Sequence, residues 1–92
     1  MSKIYNISTS IQQVKDIISN IRDEDTKKSL TGILNLVSIR NTKTARYSSL
    51  DAMTKFTYMV YNSKIISTFI KMELLAHVID ILAEYGDNKY EA

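Results

Sequence analysis

The chain has 92 residues, no cysteine, no proline, two glycines, 45% apolar residues and a net charge of +2. That length holds one domain, and the apolar content excludes a disordered chain. Without cysteine there can be no disulfide or thiolate metal site, and a surplus of two positive charges is too mild to imply nucleic acid by itself.

The first predicted helix spans about 10–22. Ser10 and Gln13 have the spacing of a capping box, and Ile11, Val14, Ile17, Ile18 and Ile21 repeat at the interval of one buried face. Arg22 suits the negative pole at its end. A second helix, about 24–38, follows almost at once. Asp23 can cap it, Glu24 and Asp25 lie in its first turn, and Leu30, Ile33, Leu34 and Val37 form its stripe. Gly32 in its middle reads equally well as a close helix approach or as simple tolerance.

From Arg40 to Ser48 no apolar period is visible, and the segment reads as a loop. Ser48 and Asp51 then open a third helix, about 49–62, with Leu50, Met53, Phe56, Val60 and Ile65 as its face. Asn, Ser and Thr cluster in Asn62–Thr68, which reads as a turn capped by Ser67 or Thr68. The fourth helix, about 68–85, carries Ile70, Leu74, Leu75, Val78, Ile79 and Leu82, and Gly86 is placed as its C′ residue. Residues 87–92 read as a frayed tail. No segment alternates strictly and no hairpin turn pair occurs, so the expected fold is all-α, an antiparallel four-helix bundle.

Few residues suggest chemistry. His77 is the one histidine, and Glu73 and Asp80 share its helical face at i−4 and i+3. A metal site would need further ligands, and the simplest reading is a solvated polar edge. No nucleophile motif or glycine-rich phosphate loop is present, so no catalytic, cofactor-binding or metal residue is expected.

Charge distribution is more informative than net charge. Arg40, Lys43, Arg46, Lys55 and Lys64 face the single acid Asp51 over that stretch. With Tyr47 among them, these residues are the candidate partner-binding set. Such a patch could meet an acidic protein surface, anionic headgroups or phosphates. Nucleic acid is the less favoured partner, since no helix-turn-helix signature is present. Whether Tyr58 and Tyr61 belong to the core or to a partner surface stays open at this point. The face between Met53 and Leu82 is wider than four packed helices require, which fits a partner groove or a homodimer seam. The longest charge-free apolar stretch, Ser29–Ile39, has eleven residues against the ~20 needed to span a bilayer. The start Met1–Asn6 lacks the apolar core of a signal peptide. A soluble cytoplasmic protein is expected.

The stretch Tyr58–Gly86, YMVYNSKIISTFIKMELLAHVIDILAEYG, resembles the last two helices of the class IIa (pediocin-like) bacteriocin immunity proteins. Tyr61, Lys64, Ile65, Thr68, Glu73, Leu74 and Gly86 stand at the matching places, and the first half agrees in outline. The resemblance implies an antiparallel four-helix bundle in the cytoplasm of a producer cell. Such a protein protects the cell from its own pore-forming peptide. It acts at membrane components of the mannose phosphotransferase receptor with toxin bound, and its C-terminal half sets which toxin is recognised. The alternative is a small phage, viral or plasmid regulatory protein that binds nucleic acid or inhibits a host protein.

Overall fold

The computed structural model describes residues 4–37 and 43–87, with side chains described over 9–37 and 47–83. Four helices follow one another: α1 (Ile4–Ile18), α2 (Glu24–Leu34), α3 (Lys43–Asn62) and α4 (Thr68–Asp87). Each helix packs against the next and α4 closes back on α1, while the diagonal pairs α1/α3 and α2/α4 stay apart. Short links between packed neighbours give the antiparallel four-helix bundle expected of the sequence. Its centre is built by Val14 and Ile18 of α1, Leu30 and Leu34 of α2, Phe56 and Val60 of α3, and Leu74 and Ile81 of α4.

The start of α2 follows its sequence signals. Asp23 has extended backbone angles and its carboxylate accepts a 3.0 Å bond from the Thr26 amide and a 2.6 Å bond from the Thr26 hydroxyl. The Thr26 hydroxyl first, and its amide second, hold the Asp23 carboxyl below the ordinary value of 3.8. Gly32 has open space where a Cβ would stand, so it marks no close helix approach.

The turn between α3 and α4 lies where Asn62–Thr68 predicts it. The Ser63 hydroxyl accepts from the amides of Ile65 and Ile66, and Ile66 drops into the core. At the end of α3 two side chains bond backbone carbonyls: Asn62 donates to Tyr58 O at 2.8 Å, and Lys71 donates at 3.0 Å to Tyr61 O, one of the last four carbonyls of the helix. Ser67 caps α4, its hydroxyl accepting from the Ile70 amide at 3.3 Å.

Five boundaries differ from the sequence reading. Helix α1 begins at Ile4 rather than Ser10, so the Ser10/Gln13 pair lies inside a helix. The spacing of Ile4 and Ile7 simply carries the Ile11–Val14–Ile18 period backwards. The same helix stops at Ile18 instead of residue 22, and two tight i→i−3 bonds then carry the chain to a buried Ile21. Helix α2 stops at Leu34 rather than 38, again followed by tight turns. Helix α3 begins at Lys43, so residues 43–48 are helical instead of loop and the Ser48/Asp51 pair is internal. Lys43, Ala45 and Arg46 are good helix formers, and no glycine or proline interrupts them.

Helix α4 runs through Gly86 to Asp87 rather than ending at residue 85. Its buried face is also rotated from the expected one. Leu74, Val78 and Ile81 are buried, whereas Ile79 and Leu82 are exposed. Leu50 of α3 and Ile65 of the link after it are likewise outside, and Ile66 takes the core place expected of Ile65. The rest of the expected tail, 88–92, lies outside the described residues.

Candidate functional site

The described members of the candidate basic set, Tyr47, Lys55 and Lys64, are spread along α3 and the link that follows it. Arg40 lies outside the described residues, and the side chains of Lys43 and Arg46 do too. Lys55 is exposed but sits 3.2 Å from Asp51 one helical turn away, so its charge is already matched on the surface. Tyr47 is exposed near the start of α3, and Lys64 stands in the link after its end. At 1.5 Å per residue, Tyr47 and the end of α3 are separated by roughly 20 Å along the helix.

A different surface emerges in the same region. The outward side of α3 presents Tyr47, Leu50, Thr54, Tyr58 and Tyr61, with Tyr58 72% and Tyr61 70% exposed. Tyrosines this exposed do no core packing, which settles the place of Tyr58 and Tyr61. Beside them a groove of about 460 Å³ opens between α3 and α4. Met53, Thr54, Thr57 and Asn62 of α3 line it together with Leu50, Tyr58, Tyr61 and Leu82. None of these residues is charged. Tyr58 forms a ridge, because it also lines a second hollow of about 490 Å³ bordered by Asp25, Thr26 and Ser29 of α2 and by Lys64 and Ile65 of the link. Among the described members of the basic set, Lys64 is the one that lines this hollow with Tyr58.

Chemically, this surface can pack against apolar groups and bond polar ones through its hydroxyls. Exposed aromatic, methionine and leucine side chains with few charges are what the buried centre of a protein interface contains. Tyrosine adds a large apolar area while keeping a hydroxyl to bond at the rim.

The Glu73–His77–Asp80 face does not converge. His77 Nδ1 stands 3.8 Å from Asp80 Oδ2, too long for a hydrogen bond, and that nitrogen has no hydrogen-bond partner among the described residues. Among the described residues no group of three His, Cys, Asp or Glu side chains could hold a metal ion. No helix of the described residues is long and apolar enough to cross a membrane.

The sequence signal for this surface was present but unphased. From Ser49 to Tyr85 the chain carries more apolar residues than one buried stripe per helix can absorb. No family model, curated protein or solved structure matches the chain significantly.

Proposed function

We propose that this is a non-enzymatic binding protein that works by docking another protein on the outward side of α3 and the α3–α4 groove. The observation that carries the reading is the uncharged, aromatic groove formed by Leu50, Tyr58, Tyr61 and Leu82, exposed on a bundle whose core is complete without it. An unneeded apolar surface of this kind lowers solubility, so its retention points to a partner.

The most concrete version is immunity to a membrane-active bacteriocin. Tyr58 and Tyr61 fall within the Tyr58–Gly86 stretch that resembles the pediocin-like immunity proteins, and in that family the C-terminal half sets recognition. In this version the bundle works in the producer's cytoplasm by occupancy, covering a toxin-bound membrane receptor. Expressed in a strain sensitive to pediocin-like peptides, the protein should protect against at least one peptide of a panel. The variant Tyr58→Ser/Tyr61→Ser should accumulate to the same level and lose protection. Absence of protection across the panel contradicts the immunity version. Salt-sensitive retardation of DNA or RNA, abolished by changing Arg40, Lys43 and Arg46 to alanine, would favour a nucleic-acid regulator instead.

A further inference from the structure

The groove does not account for the far side of α4. Phe69 is 72% exposed, Met72 66% and Ile79 66%, and Ala76 and Ala83 are exposed with them. They point directly away from the buried Leu74, Val78 and Ile81 of the same helix. With Gly86, they recur at intervals of three and four residues, the a/d spacing of a coiled-coil seam. Helix α4 is therefore apolar nearly all round, as a helix buried on every side is. In the bundle only one of its sides is covered.

We infer that a second copy of the chain covers it, with α4 packed antiparallel on α4 about a two-fold axis. The argument is the order of side-chain sizes. From Phe69 to Gly86 the seam reads large, large, small, large, small, small. Read backwards, that series is its own complement. An antiparallel pair therefore sets Phe69 against Gly86 of the second copy, Met72 against Ala83 and Ala76 against Ile79. Every layer then holds one large and one small residue, which close packing requires. A parallel pair would stack Phe69 on Phe69 and leave gaps at Ala76 and Ala83. An isologous interface needs this self-complementarity, and a foreign partner does not.

The area suits a weak dimer. With full areas on the order of 150–250 Å² for large side chains, the exposures of Phe69, Met72 and Ile79 leave roughly 300–500 Å² of apolar surface per copy, to which Ala76 and Ala83 add. Two copies would bury roughly 600–1,000 Å² from the large side chains, the size of a weak interface, so the dimer forms reversibly. Glu73 and Asp80 edge the seam on one side and are exposed. Across the two-fold axis they meet the same acids of the second copy. Salt screens that repulsion and tightens the dimer, whereas a cationic foreign helix would be released by salt.

The test is sedimentation of the full chain from micromolar to millimolar concentration, at low and high salt. The expected mass moves from monomer to dimer, and further in high salt. Ile79→Glu, folded by circular dichroism, should weaken association on the order of tenfold or more, because it buries an unpaired carboxylate. The chain has no cysteine, so single cysteines report the register cleanly. Oxidising an equimolar mixture of Ala76→Cys and Ile79→Cys should give the mixed disulfide in preference to either homodisulfide. A monomer at every concentration in high salt overturns the inference, as does a dimer indifferent to Ile79→Glu or one cross-linked mainly 76 to 76. Each of these failures leaves the groove reading standing, because that reading depends on Tyr58 and Tyr61 of α3.

Discussion

The two halves of the bundle solve the same packing problem with different surfaces. Among the described residues of α1, α2 and the turns after them, the apolar side chains are nearly used up by the core, and Leu36 is the one large apolar residue left exposed. Among those of α3, α4 and their link, nine remain outside, from Tyr47 to Leu82. The two halves contribute about equally to the centre, so the difference is not one of core size. It shows that the second half carries apolar surface in addition to what the fold consumes.

The comparison can be broken most sharply within one pair of helices. Phe56 is fully buried at the centre of α3. Phe56→Ala should lose about 3–5 kcal/mol in urea unfolding, a large fraction of the stability of a domain of this size. A loss under 1 kcal/mol would mean that the bundle centre does not hold the fold together. A smaller effect of opposite sign sharpens the other half. Gly32→Ala places a methyl in open space within α2 and should stabilise by about 0.5–1 kcal/mol. Destabilisation there would show that α2 makes a close approach at that point after all.

Which parts of this architecture could be read from the residues follows from how local each determinant is. The start of α2 was legible because Asp23 and Thr26 form a cap between neighbours in sequence. The α3–α4 turn was legible because Ser63 and Ser67 both bond amides two or three residues on. The starts of α1 and α3 were not legible. Ser10/Gln13 and Ser48/Asp51 have capping-box spacing, but polar residues also occur at that spacing on the solvent side of a longer helix. The phase of α4 was hidden for a different reason: with apolar residues on nearly every side, periodicity cannot say which side faces inward. Ile79 and Leu82, expected on the main face, are therefore outside, and Leu50 lines the groove instead of the core. The basic residues stand out in the sequence by their charge, whereas periodicity leaves Tyr58 and Tyr61 open between core and surface, and only their exposure decides it.

The claim that the C-terminal surface is surplus to the fold is tested most directly by one unfolding experiment. The variant Tyr58→Ser/Phe69→Ser/Ile79→Ser removes three large side chains that are each at least 66% exposed. Measured at low protein concentration, where self-association adds nothing to stability, its urea unfolding free energy should stay within about 1 kcal/mol of the parent. A loss of several kcal/mol, comparable to Phe56→Ala, would place this surface inside the core and contradict the account.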